Sequence, residues 1–218
     1  MIKVMMFGSF YRGFAVLNEL LHGPLRDQIQ VVAVATDDPS QSFISAPKRV
    51  WQYGYTTDES TMVAELAADA GIPVYRDRVK SEEFYDLYEN EYKPDLCIMA
   101  TFGQMIDQKL FSYPRLGFYN LHPSDHDGWP SIYAGPNPFR MMLDDHRESC
   151  VVSIHEVDGD FDTGSRIGVS ETVYIPPGVE PRDLHKMTST VAALLVREQI
   201  INIIEKDSST SRGGSTDV

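Results

Sequence analysis

The chain has 218 residues, 42% of them hydrophobic and 23% charged, which is ordinary globular composition with enough apolar side chains for one full core. Nineteen Lys and Arg stand against 32 Asp and Glu, a formal net charge of -13. Phosphate contacts dominate nucleic-acid affinity, and these totals supply no basic face for DNA or RNA; an acidic surface suits a cationic small substrate better.

In chain order, Ile2 to Phe7 is a short apolar run ended by Gly8, a buried first strand. Gly13 to Leu21 has helical spacing and stops at His22, Gly23 and Pro24. Ile29 to Ala35 is a second buried strand, and Thr36 to Tyr55 reads as a long loop. Glu59 to Ala70 is helical, Ile72 to Tyr75 a short strand, and Ser81 caps a helix reaching Glu91. Strands are expected at Asp95 to Thr101 and Leu116 to Leu121, a helix at Pro136 to Leu143, and strands at Cys150 to Val157 and Arg166 to Ile175. Pro181 to Ile204 is a long amphipathic helix whose apolar residues pack on the domain or form a homodimer seam. One domain over residues 1–205 and a disordered tail over 206–218 follow.

Strands alternating with helices predict an α/β fold, a Rossmann-like, mostly parallel twisted sheet with helices on both faces. Ligands bind at the carboxyl ends of such strands, where Gly8, Thr101, Asn120 and His122 fall. Cys97 and Cys150 lie in apolar runs and read as buried thiols, without a disulfide or metal framework. The opening MIKVMMFG lacks the pattern of a secretory leader, and no apolar run approaches about 18 residues, so a cytoplasmic protein without membrane contact is expected.

Three segments carry chemistry. FGSFYRG after the first strand is not GxGxxG, so nicotinamide dinucleotide binding is not expected; Gly8 turns the backbone, with or without a ligand beside it. In FYNLHPS, Asn120 and His122 share one side of an extended chain and can both donate to one carbonyl oxygen, as a developing oxyanion requires. In VDGDFDTG, three Asp fall within five positions. A polar turn is the commoner fate of Asp-Gly sequences, and the closing Glu of a calcium loop is missing. The functional alternative sets one Asp beside His122, raising its pKa and fixing its orientation.

FYNLHPS followed by DGDFDTG resembles the 10-formyltetrahydrofolate-dependent formyltransferases, as do the opening IKVMMFGS, the loop ATFGQMI and the segment GPNPFRMML. The resemblance implies a catalytic trio of Asn120, His122 and Asp162. It implies a folate site made by Gln104, Met105 and Ile106, by Phe118, and by the loop Val157, Asp158, Gly159, Asp160 and Phe161. Gly8, Ser9 and Phe10 then lie where relatives grip the acceptor. Asp162 would keep His122 protonated and take the acceptor's proton through water, with 10-formyltetrahydrofolate as donor co-substrate and no metal.

Two departures bear on the acceptor. After His-Pro-Ser, DHDGWPSIYA replaces the shorter Leu-Leu-Pro continuation, making Asp125, His126, Asp127 and Trp129 acceptor contacts or a polar loop. A helix and a tail follow Ile175, where the family's tRNA enzymes carry a β-rich domain; this, with the acidic charge, points away from tRNA. The expected acceptor is a small-molecule amine, nearest to hydroxyornithine in siderophore assembly, its ammonium groups met by Asp125 and Asp127. The alternatives are a nucleotide-linked amino sugar held by Arg12, Tyr11 and Trp51, glycinamide ribonucleotide, hydrolysis of the formyl-folate, or folate binding without chemistry.

Overall fold

The computed structural model describes residues 1–41, 53–126 and 128–213. Trp51 and Asp127, both named above as acceptor contacts, lie outside them. The strands are β1 (Ile2–Gly8), β2 (Ile29–Ala35), β3 (Val74–Tyr75), β4 (Leu96–Ala100), β5 (Phe118–Ser124), β6 (Ser149–Glu156), β7 (Arg166–Val169) and β8 (Val173–Tyr174). They form one sheet in the order β3-β2-β1-β4-β5-β6-β7, with β8 on β6. Pairing is parallel from β3 to β5 and antiparallel from β5 through β6 to β7. The α/β reading holds, with an antiparallel margin.

Alternation along the strands supplies both layers. Val4 and Met6 face one way with Leu96, Ile98 and Leu121, against α1 (Phe10–His22), α2 (Thr57–Asp69) and α6 (Pro181–Gly213). Met5 and Phe7 face the other way with Cys97 and Phe118, against α3 (Glu82–Asp86) and α4 (Gln108–Phe111). A π-helical turn, Leu87–Tyr92, extends α3. The last helix, α5 (Pro138–Asp144), packs with Tyr133, Cys150 and Leu184 in a third cluster. Both cysteines are buried free thiols.

Several boundaries differ from expectation. α1 begins at Phe10, and α2 begins at Thr57 because Thr56 and Glu59 close a capping box. β5 continues through His122 to Ser124, paired with β6. The strand expected over 166–175 is broken between β7 and β8. α4 was not anticipated; Asp107 accepts from the Leu110 backbone N–H and starts it. The tail expected from 206 is helical to Gly213. By length and composition α6 could cross a membrane, yet Ala192, Leu195, Val196 and Ile200 are buried in the core, against α1 and the sheet.

Strand order reverses at β1, whose neighbours are β2 and β4. Crevices at such reversals hold ligands at the strands' carboxyl ends, and this one is bordered by Thr101 after β4 and Arg12 on α1.

Candidate active site

A cavity of about 310 Å³ opens at these strand ends, within the usual range for small-molecule sites. Asn120, His122 and Asp162 all line it. Asn120 and His122 come from the same face of β5 and are 9% and 6% exposed, so both are desolvated yet reachable. Asp162 arrives from the loop between β6 and β7 with φ +54, a left-handed conformation that costs a non-glycine residue strain. Its carboxylate holds that loop to the opposite wall by accepting the Gly135 N–H at 3.0 Å.

The three groups are in mutual contact. Asn120 Nδ2 donates to Asp162 Oδ1 at 3.1 Å, and His122 Nδ1 lies 3.4 Å from Asp162 Oδ2. His122 Nε2 donates to the Tyr133 carbonyl at 2.9 Å. A fourth residue, His155, completes the group: its Nε2 is 3.1 Å from Asn120 Nδ2 and 3.4 Å from Asp162 Oδ1. Sequence reasoning missed His155. The signal was register: β6 pairs with β5 so that His155 is directly opposite Asn120.

Charge is unevenly distributed here. Burial would raise the Asp162 pKa, but its contacts with His155 and His122 and the Gly135 N–H bring it down to about 2. Burial lowers the His122 pKa below 6.5, against the upward pull of Asp162 and the Tyr133 carbonyl; the charges of His155 and Arg12 lower it further. Burial thus works against the protonated His122 that the sequence suggested, while the acceptors at its two ring nitrogens, the Tyr133 carbonyl and the Asp162 carboxylate, work for it.

The cavity rim comes from two loops. Gln104, Met105 and Ile106 line one side; Val157, Asp158, Asp160 and Phe161 line the other. The Gln104 side chain accepts from the Val79 N–H and donates to the Asp77 carbonyl, so this loop presents backbone to a ligand. Met105 is 38% and Phe161 65% exposed, an apolar rim suited to a flat ring. Asp158 ties its own loop by accepting from the Thr163 hydroxyl and the Asp160 N–H. Gly159 belongs to that loop without lining the cavity, and Phe118 is buried in the core cluster beneath the sheet.

The expected acceptor contacts are placed elsewhere. Gly8, Ser9 and Phe10 do not line the cavity: a Cβ on Gly8 would meet the Ala100 carbonyl at 2.8 Å, and the buried Ser9 hydroxyl accepts the Asp37 N–H. Phe10 is buried against His185. Asp125 is buried on a separate surface, paired with Arg147. Trp129 donates to the Gly164 carbonyl at 2.8 Å and its ring lies 4.9 Å from His155, so it braces the site from behind. In their place the cavity wall carries Arg12, Thr101, Phe139 and His185. Among the described residues, no group of three or more His, Cys, Asp or Glu side chains is placed to hold a metal ion.

A family model described as "Formyl transferase" matches residues 2–197. A methionyl-tRNA formyltransferase of Kosmotoga olearia is 32% identical over 53% of this chain and 35% of its own length. One from Brucella anthropi is 29% identical over 67% of this chain and 46% of its own. The chain thus spans less than half the length of these curated relatives. Among solved structures, phosphoribosylglycinamide formyltransferase from Bacillus halodurans superposes with a TM-score of 0.60 at 20% identity, covering 88% of this chain and 93% of that one. A formyltetrahydrofolate deformylase from Pseudomonas putida gives 0.64 at 18% identity, covering 94% and 66%. At these identities the structures show a shared fold.

Proposed function

Because the chain belongs to the formyl transferase family, we propose that it moves a formyl group from 10-formyltetrahydrofolate to the amine of a small metabolite. The observation that carries this reading is the meeting of Asn120, His122 and Asp162 in one cavity, joined by hydrogen-bond and ion-pair contacts of 3.1 to 3.4 Å. The rim fits a folate: a flat heterocycle would rest between Met105 and Phe161 and meet the backbone of the Gln104–Ile106 loop. When bound, this co-substrate supplies an activated formyl carbon.

The chain's own groups supply proton handling and charge stabilisation. Asp162, held ionised, and neutral His122 form a basic pair that takes the attacking amine's proton at His122 Nδ1. The resulting imidazolium is balanced by Asp162 and, with the Asn120 amide, favours negative charge on the formyl oxygen. Both Asn120 amide hydrogens already have partners, His155 and Asp162, so an incoming oxygen displaces one of them.

An amino acid such as ornithine or hydroxyornithine is the proposed acceptor, since a small cavity and a net charge of -13 both disfavour a polyanion. The test is tetrahydrofolate release from 10-formyltetrahydrofolate with hydroxyornithine, ornithine, a nucleotide-linked amino sugar, or no amine. Release that waits for one amine supports transfer and names its acceptor. Equal release in every tube means hydrolysis.

A further inference from the structure

The cavity wall also carries a buried cation with no carboxylate partner among the described residues. Arg12 on α1 is 3% exposed. Its Nη1 donates to the Thr101 hydroxyl at 3.3 Å and its Nη2 to the Thr188 hydroxyl at 3.1 Å. Its guanidinium carbon lies 5.7 Å from the Phe139 ring centroid. Nε has no partner, and among the described residues no carboxylate pairs with this side chain.

His185 stands beside it, also buried, with Nε2 3.1 Å from Thr101 Oγ1. The Thr101 oxygen accepts from Arg12 and either donates to a bare His185 Nε2 or accepts from Nε2–H as well. In both tautomers His185 Nδ1 is without a partner among the described residues. Two buried nitrogens on cavity-lining residues are thus left unsatisfied, and Arg12 Nε–H is a donor in either case. Burying a charge and two polar nitrogens without partners is costly, and native structures rarely leave such groups without a ligand or water to take them. Burial brings the Arg12 pKa down to about 10 and holds that of His185 well below 6.5.

We propose that Arg12 Nε and His185 Nδ1 form an anchoring subsite for a carboxylate, so that the acceptor is an amine that also carries a carboxylate. The subsite follows from the geometry, and only the identification of its occupant as the acceptor rests on the formyl-transfer reading. Arg12 Nε–H donates to one carboxylate oxygen, and the anion selects the His185 tautomer with Nδ1–H for the other, while the Thr101 hydroxyl donates to Nε2. A phosphate dianion would leave charge and oxygens unmatched against Phe139, Pro136 and Pro138, which wall the same cavity. Occupancy also reaches the chemistry: the Arg12 charge is one of the influences that lower the His122 pKa, and a bound anion offsets it. Binding of the acceptor thereby makes His122 a better base.

The full chain, labelled with 15N at histidine, is titrated with sodium acetate, the simplest carboxylate, while the His185 ring resonances are followed by NMR. A saturable shift in the wild-type protein, lost in Arg12→Gln, is expected. No saturable shift in wild type, an equal shift in Arg12→Gln, or saturation by inorganic phosphate but not by acetate overturns the proposal. Because this titration needs no turnover, a failure of formyl transfer is scored separately. Kinetically, converting the accepted substrate's carboxylate to a carboxamide is expected to lower kcat/KM about 100-fold, chiefly through KM; equal use of acid and amide sinks the assignment.

Discussion

Asn120 Nδ2 lies 3.1 Å from His155 Nε2, directly across the β5–β6 ladder. His155 Nδ1 donates to the Glu156 carbonyl at 2.8 Å, which leaves Nε2 bare to accept from the amide. That single hydrogen bond decides which end of Asn120 faces Asp162. His155 is therefore a positioning residue, braced in turn by the Trp129 ring. His155→Phe removes the acceptor and frees the amide to rotate. Turnover is expected to fall about 100-fold with KM little changed, since misplacement by an ångström carries a cost of that order. Steady-state kinetics at a fixed folate concentration check it; an unchanged kcat refutes the role.

Asp162→Asn keeps the side chain's shape and removes its charge. The variant cannot balance an imidazolium at His122 or share the amine's proton, so activity is expected to drop about 10²- to 10⁴-fold. Far-UV dichroism and the melting curve should stay close to wild type. A variant with near wild-type turnover removes Asp162 from the mechanism.

The parallel sheet was legible because its strands read as unbroken apolar runs between helical segments, as strands covered on both faces do. Asn120 and His122 were legible because strand alternation leaves a local mark; the Asp-rich turn offered three candidates, and the family resemblance singled out Asp162. The acceptor side was not. Arg12 and Thr188 are 176 positions apart, and His185 reaches the cavity only because α6 packs along α1. The loop 125–134 misled because acidic residues in a turn look solvent-facing, whereas Asp125 is buried against Arg147. The His122 pKa also escaped: a nearby carboxylate can be read from sequence, but the depth of burial that outweighs it cannot.

Two buried histidines set a pH dependence for stability. His122 and His185 both have folded-state pKa values below 6.5, with burial the largest cause in each. Below pH 6.5 the unfolded chain therefore binds more protons than the folded one, and stability falls as pH drops. Each proton contributes at most about 1.4 kcal/mol per pH unit. The urea midpoint is expected to be flat between pH 7 and 8 and lower at pH 5.5. The fall should be shallower in His185→Asn. A midpoint that rises on acidification contradicts the direction.

Gly164 closes the catalytic loop two residues after Asp162. A Cβ there would lie 2.0 Å from the Glu156 carbonyl oxygen, a backbone atom that cannot swing aside. Gly164→Ala must displace the loop, and with it the left-handed Asp162 and the carbonyl that receives Trp129. Overpacking of this kind costs roughly 1 to 3 kcal/mol. Activity is expected to fall by at least about tenfold, because Asp162 moves with the loop. Comparing kcat with the melting temperature separates the two effects; full activity in a destabilised protein means the loop yields elsewhere.

Asp125 offers a test of position against composition. Its charge invites a substrate contact, but the side chain is buried outside the cavity, 3.4 Å from Arg147 Nη2. Arg147 Nε donates to the Tyr133 hydroxyl at 2.6 Å, and the Tyr133 carbonyl accepts from His122. Asp125 therefore acts on the fold around the His122 anchor, three contacts away from chemistry. Asp125→Asn is expected to cost about 1 kcal/mol of stability, the net value of one hydrogen bond, because the pair is long and Arg147 is partly exposed. The KM for the acceptor should stay within about twofold of wild type, a difference under roughly 0.5 kcal/mol. A large rise in KM with an unchanged melting temperature would instead put Asp125 on the substrate.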